Sequence, residues 1–321
     1  MQETLLQVEN LTTVFDTASG PVVAVDDVSC SVARGEVLAV VGESGCGKTV
    51  LSLSILGLVS SPGRVVSGRA LFAGRDILAL PERERRAIRG RRASMIFQEP
   101  MTALNPVLTI GDQVAEPVRI HHHTSRREAL ATAEAMLARV GLPEPGRRLG
   151  SYPHELSGGQ RQRVMIAMAL ILSPELLLAD EPTTALDVTV QRQILDLMLG
   201  LAREAGTAIV LVTHNLGVVA QTADNVAVMY SGRMVEYAPV AAFFEGPAHP
   251  YGQGLLASLP RLSDRGHRLS PISGTVPSLS ALPAGCHFHP RCPRAFAPCF
   301  REAPPLFALG DGRFARCWLH G

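Results

Sequence analysis

Residues 42–49 read Gly-Glu-Ser-Gly-Cys-Gly-Lys-Thr, and this stretch limits the fold more than any other in the chain. Leu38-Ala39-Val40-Val41 precedes it as a short apolar strand, and Leu51, Leu53, Ile55 and Leu56 follow with the spacing of a buried helix. Strand, glycine-rich turn and helix in that order define an α/β unit with a phosphate cradle at the turn. Gly42, Gly45 and Gly47 let the backbone turn tightly and approach a phosphate without a clashing Cβ. The N–H groups from Ser44 to Thr49 then face the anion, and the helix N-terminus adds positive potential. Lys48 is expected to reach the β- and γ-phosphates of ATP, and the Thr49 hydroxyl to ligate Mg²⁺. Cys46 stands at a variable position of the motif. A thiol at a helix N-terminus can have a lowered pKa and act as a redox-sensitive spot; the alternative is an inert substitution.

A second anion site is written at 156–160, Leu-Ser-Gly-Gly-Gln, just before an apolar helix expected over 160–172. Ser157, Gly158 and Gly159 leave helix N–H groups open, but no lysine accompanies them. Two anion sites in one chain, one without a lysine, suggest that the second binds a phosphate held by another subunit. Further along, Gln98 follows the apolar run 93–97, and 176–180 is an apolar strand ending in Asp180 and Glu181. Asp180 suits Mg²⁺, and Glu181 is placed to polarise an attacking water. Asp187 closes the stretch 183–187, and His214 follows the apolar run 210–213.

These motifs together resemble the nucleotide-binding subunits of ATP-binding cassette (ABC) transporters. The resemblance implies a P-loop NTPase core of RecA-like α/β type, an antiparallel β subdomain and a helical subdomain near 99–160. It implies that Gln98 contacts Mg²⁺ or the attacking water and that Asp187 lies in a loop crossing a dimer interface. It implies too that His214 bonds the γ-phosphate and that Phe15 stacks on adenine, where the bland alternative is an ordinary strand aromatic. Gln160, with Ser157, Gly158 and Gly159, belongs to the signature that completes a partner's ATP site. One departure is Asn215, where the family commonly has Asp.

The stretches 98–102 and 181–191, with His249-Pro250-Tyr251 and 271–279, look like the dipeptide/oligopeptide permease ATPases, in particular the D member of a D and F pair. That resemblance covers nearly the whole chain. It implies ATP hydrolysis that drives peptide import. The partners would be a homologous F-type ATPase subunit, two transmembrane permease subunits and an extracytoplasmic peptide-binding protein. A nickel or other small-solute importer is the alternative within transporters. A soluble ABC ATPase of DNA repair or translation is the alternative outside them, although the chain shows one cassette and no coiled-coil heptads. A non-enzymatic regulatory module is disfavoured by Glu181 and His214 together.

Composition adds exclusions. Lys plus Arg is 30 and Asp plus Glu is 29, a net charge of +1, which gives no argument for nucleic acid or an acidic membrane surface. The Arg-rich segment 81–92 is interrupted by Glu82 and Glu84 and lacks aromatics, as a solvated helix face does. His121, His122 and His123 are read as a solvated linker, since no second ligand group lies nearby. No apolar run reaches the roughly 18 residues of a membrane span, and residues 1–4 show no basic leader. The expected location is therefore the cytoplasmic face of the plasma (inner) membrane, peripherally attached through partners.

From about residue 246 proline becomes dense and periodicity fades. The reading divides the chain into a nucleotide-binding domain at 1–245 and a small extension at 246–321. Cys286, Cys292, Cys299 and Cys317 lie in the extension, spaced C-x5-C-x6-C-x17-C. In a cytosolic chain such cysteines suggest a metal centre rather than disulfides. A [4Fe–4S] cluster, which the family resemblance also implies, zinc with help from His287, His289 or His320, and unligated thiols all stay open.

Overall fold

The computed structural model of the chain describes residues 3–99, 103–183, 187–259 and 272–321. Pro100, Met101, Thr102, Thr184, Ala185, Leu186 and Pro271, parts of motifs quoted above, lie outside the described residues. The chain divides into two units. The first holds residues 79–211 with short pieces at 1–5 and 33–36; the second holds 6–32, 37–78 and 212–321.

In the first unit, Ala93–Ile96 runs parallel to Leu176–Asp180, in register from Ala93 opposite Leu176 to Ile96 opposite Ala179. Ala208–Val212 lies on the other side of Leu176–Asp180. All residues of Leu176–Asp180 and Ala208–Val212 are buried, so their sequences show no alternation, as expected of parallel strands covered on both faces. The helices are capped by their own sequence. Thr109 accepts from the Asp112 N–H to start Ile110–His122. Ser125 and Glu128 form a reciprocal capping box before Arg126–Arg139. Asp187 accepts from the Val190 N–H at 2.9 Å to open Val188–Ala205. Such caps contribute about 1 kcal/mol each.

One reading of the sequence changes here, and one is met. His121 and His122 are not linker residues but end the helix Ile110–His122, and His123 terminates it in left-handed conformation. The Arg-rich segment does form a helix, Glu82–Ile88, in which Glu82 pairs with Arg85, Arg86 and Arg89.

In the second unit Val37–Val41, wholly buried, pairs in parallel with Asn225–Tyr230. Burying each of its larger side chains contributes about 1.5–3 kcal/mol. Arg233–Pro239 continues the sheet antiparallel. A separate antiparallel sheet runs Gly20–Ala33, Thr4–Thr17, Gly63–Phe72, Arg75–Asp76. Its first two strands, Thr4–Thr17 and Gly20–Ala33, run 14 residues each. Their polar interruptions do not end the strands. Asn10 and Asp27 both turn left-handed, φ 47° and 52°, and Asn10 Nδ2 donates to Asp27 Oδ1 at 2.7 Å.

The tail joins the core sheet of this unit. Arg313–Ala315 pairs antiparallel with Arg233–Pro239, and Phe307–Gly310 pairs with Arg313–Ala315. Asp311 and Gly312, at φ 49° and 72°, make the tight turn between the last two strands. Among the described residues no helix is long and apolar enough to cross a membrane.

Candidate nucleotide site

The glycine-rich loop of the second unit is shaped by backbone contacts that only glycine allows. A Cβ on Gly42 would run into the Met229 carbonyl, and one on Gly47, at φ +98°, into the carbonyl of Ala24. The Gly232 N–H donates to the Cys46 carbonyl at 3.0 Å and ties the loop to the turn after Asn225–Tyr230. Ser44, Gly45 and Thr49 are exposed. Lys48 is buried, and its ammonium donates to the carbonyls of Gly42 and Glu43 at 2.9 and 3.0 Å. The helix Lys48–Ile55 starts there without a side-chain cap. No side-chain cap competes with an anion for that helix start.

Cys46 is buried, and burial pushes its thiol pKa up despite the pull of Lys48. The reading of a lowered, redox-sensitive pKa is thereby corrected: desolvation of the thiolate outweighs the helix N-terminus. Phe15, half-buried, stands opposite Gly63 in the antiparallel pair, and its ring fills the space a Gly63 side chain would take. His214 is exposed in the same unit, directly after Ala208–Val212. The neighbouring Asn215 accepts from the N–H groups of Gly217 and Val218 and so caps the helix Leu216–Thr222. Asn is among the best residues for that task, and the departure from Asp keeps the cap.

In the first unit Asp180 is buried at the end of its strand, and Glu181 turns left-handed at φ 43°. A non-glycine residue at positive φ is uncommon and recurs where a side chain must be aimed. Gln98, exposed, donates from Nε2 to Glu181 Oε2 at 3.3 Å, so the structure brings these two sequence candidates together. Ser157 and Gly158 are exposed at the start of Gly158–Leu170, with Gly159 and Gln160 half-buried. The Ser157 hydroxyl accepts from the Gln160 N–H, and Gln160 Oε1 accepts from the Ser157 N–H at 3.0 Å. That box shapes the helix start and leaves Ser157 and Gly158 exposed. In this unit Gln98 and Asp180, and in the second unit Thr49, each carry an oxygen of the hard kind that Mg²⁺ takes.

In the tail, Cys299 and Cys317 are buried and Cys286 and Cys292 half-buried, all four as free thiols. The Cys286 N–H donates to the Cys299 carbonyl at 2.9 Å. Burial, and then the other three cysteines, push the Cys286 thiol up to about 11. One ring nitrogen of each candidate histidine ligand meets a backbone carbonyl. His287 Nδ1 lies 3.3 Å from the Ser231 carbonyl, His289 Nδ1 2.9 Å from that of Cys286, and His320 Nε2 3.0 Å from that of Ala248. Among the described residues no group of three or more His, Cys, Asp or Glu is set to hold a metal ion, which lends support to neither the zinc nor the cluster reading.

Comparison with known proteins agrees with this geometry. Residues 25–184 match the ABC transporter family, and residues 235–299 match the oligopeptide/dipeptide transporter C-terminal region. The dipeptide transport ATP-binding protein DppD of Bacillus subtilis is 50% identical over 99% of this chain and 95% of its own length. The chain belongs to the ATP-binding proteins of the ABC transporters. It is an ATPase. The oligopeptide transport ATP-binding protein OppD of Salmonella typhimurium is 49% identical over 98% of this chain and 93% of its own length. A dimeric ATP-binding cassette in a post-hydrolysis state, bound to ADP and Pi, superposes with a TM-score of 0.66 at 28% identity. It covers 74% of this chain and 99% of its own, so the shared fold is that of a whole cassette.

Sequence reasoning missed Tyr251 and Arg291 as partners of the loop. The Tyr251 hydroxyl accepts from the Glu43 N–H at 2.9 Å, and the Arg291 guanidinium pairs with both Glu43 carboxylate oxygens at 2.7 and 3.0 Å. The only signal in the sequence was a carboxylate, Glu43, inside an anion-binding loop.

Proposed function

We infer that this chain is the ATP-hydrolysing subunit of a peptide importer. The observation that carries the reading is the match to dipeptide and oligopeptide transport ATP-binding proteins over both the cassette and the C-terminal region. In this role Lys48 holds the β- and γ-phosphates, and Thr49, Gln98 and Asp180 hold Mg²⁺. That ion, when bound, screens the phosphate charge. Glu181 accepts a proton from the attacking water while Gln98 orients its carboxylate, and His214 bonds the γ-phosphate. Phe15 supports the adenine. Ser157, Gly158, Gly159, Gln160 and Asp187 complete the ATP site of a homologous F-type subunit. Two permease subunits hold the chain at the cytoplasmic face of the membrane, and an extracytoplasmic binding protein delivers peptide. Residues 246–321 are the extension that marks this class.

Co-expression with those partners tests the reading. The chain is expected to co-purify with both permeases, and its ATPase to rise when peptide-loaded binding protein is added. Ser157→Arg is expected to lower ATPase of the complex while this chain still binds nucleotide through Lys48. Full turnover by the isolated monomer would overturn the two-subunit site, and stimulation by nickel rather than peptide would overturn the substrate.

For the tail we propose a structural [4Fe–4S] cluster on Cys286, Cys292, Cys299 and Cys317. Support comes from the mutual electrostatic reach of the four thiols and the Cys286–Cys299 backbone bond. Four cysteine thiolates are the usual ligand set of such a cluster. Its chemistry would be to staple the loop, since ATP hydrolysis needs no electron transfer. Anaerobically purified protein is expected to carry about four irons per chain, and Cys→Ser at any of the four to lose them. Iron-free protein from anaerobic preparation would reject the cluster.

A further inference from the structure

Glu43 is electrostatically out of place. It follows Gly42 at the entry of a loop whose N–H groups, lysine and helix N-terminus all attract phosphate, and a bare carboxylate there opposes a polyanion. The tail supplies its counter-charge. Arg291, from the short turn His289–Arg291, has a side chain only 3% exposed, while that of Glu43 is 34% exposed. The guanidinium is also fixed from behind: Nε donates to the Ser273 carbonyl at 2.9 Å, and the group stacks 5.8 Å from the centre of the Tyr230 ring. Tyr230 in turn packs edge-on against Tyr251 and Phe288, with centroids at 4.7 and 5.2 Å. The second hold on the loop comes from that aromatic group, through the Tyr251 hydroxyl on the Glu43 N–H. A bidentate pair and a hydrogen bond, both backed by buried rings, fix where the loop begins.

We propose that Arg291 and Tyr251 are positioning residues for nucleotide binding, holding the entry of the phosphate loop and cancelling the charge of Glu43. The proposal rests on reading 42–49 as the ATP site. The C-terminal segment thereby sets the ATP affinity of the chain without touching the nucleotide.

Titration of the full-length chain with a fluorescent ATP analogue and Mg²⁺ tests it. Arg291→Met is expected to raise Kd by roughly 5–20-fold, the scale of losing a charge-assisted bidentate pair. Arg291→Lys keeps the charge and is expected to fall between the two. The decisive variant is Arg291→Met combined with Glu43→Gln. With no charge left to cancel, it is expected to bind the analogue several-fold more tightly than Arg291→Met alone. A purely structural role predicts no such recovery, and a double variant no better than the single one would overturn the proposal. Tyr251→Phe, which loses only the acceptor for the Glu43 N–H, is expected to weaken binding by about 3-fold and serves if Arg291→Met does not fold. Lys48→Ala separates the two failures. If it binds like wild type, the loop reading fails; if it loses binding while Arg291→Met and Tyr251→Phe do not, only the positioning role fails.

Discussion

In the assembled complex, Glu181→Gln is expected to lower ATP hydrolysis by about 10²–10⁴-fold, the usual cost of removing a positioned base, while nucleotide binding survives. The expectation comes from the placement of the side chain. The strand Leu176–Asp180 is buried from end to end, and the next residue leaves it at φ 43°, so the Glu181 carboxylate swings away from the strand line. Gln98 then bonds one carboxylate oxygen at 3.3 Å. Glutamine at 181 keeps size and hydrogen bonding but accepts no proton, so the loss falls on turnover and not on affinity. The measurement is steady-state ATPase beside nucleotide binding, with the homologous subunit's own glutamate also replaced. Unchanged turnover in that background would remove Glu181 from the reaction.

The second large effect is acid destabilisation of the tail. His249 is fully buried, its Nδ1 accepts from the Tyr251 N–H at 3.0 Å, and burial pushes its pKa from 6.5 down to about 3. His320 and Arg294 push in the same direction. Below pH 6.5 the unfolded chain takes up a proton at this histidine that the folded chain refuses. The stability contributed by neutral His249 is therefore complete above the unfolded value and is lost as pH falls toward the folded one. The slope is about 1.4 kcal/mol per pH unit, so about 2 kcal/mol disappears between pH 7.5 and pH 5. Glu236 opposes part of this. It is buried, accepts from the N–H groups of Ala248 and His249, and burial raises its pKa. Its term falls as pH rises above the ordinary glutamate range, opposite in sign. Asn in place of His249 retains a side-chain acceptor for the Tyr251 N–H and removes the titration. Denaturant unfolding of His249→Asn between pH 7.5 and 5 is expected to show a clearly flatter dependence than wild type; an equal slope would assign the effect elsewhere.

The local geometry of the candidate nucleotide site was legible in the chain because short-range contacts set it. An eight-residue loop between an apolar strand and a helix, a Ser-Gly-Gly-Gln helix start and an Asp-Glu strand end each state their geometry within a few residues. Caps behave the same way: Ser157 with Gln160 and Asp187 with Val190 are three residues apart. Short-range hydrogen bonds set these features, and sequence spacing reports them directly. The long strands Thr4–Thr17 and Gly20–Ala33 were less legible, since polar residues that look like turns are absorbed by left-handed Asn10 and Asp27 facing each other.

What the tail does for the loop was decided only by tertiary structure. Tyr251 and Arg291 meet Glu43 across 208 and 248 residues, and the strand Arg313–Ala315 finds Arg233–Pro239 across a stretch with no periodic pattern. Contacts at such separation leave no spacing to read. They form because a buried guanidinium must find a carboxylate, a buried hydroxyl an N–H and a sheet edge a partner strand, and only the folded chain decides which.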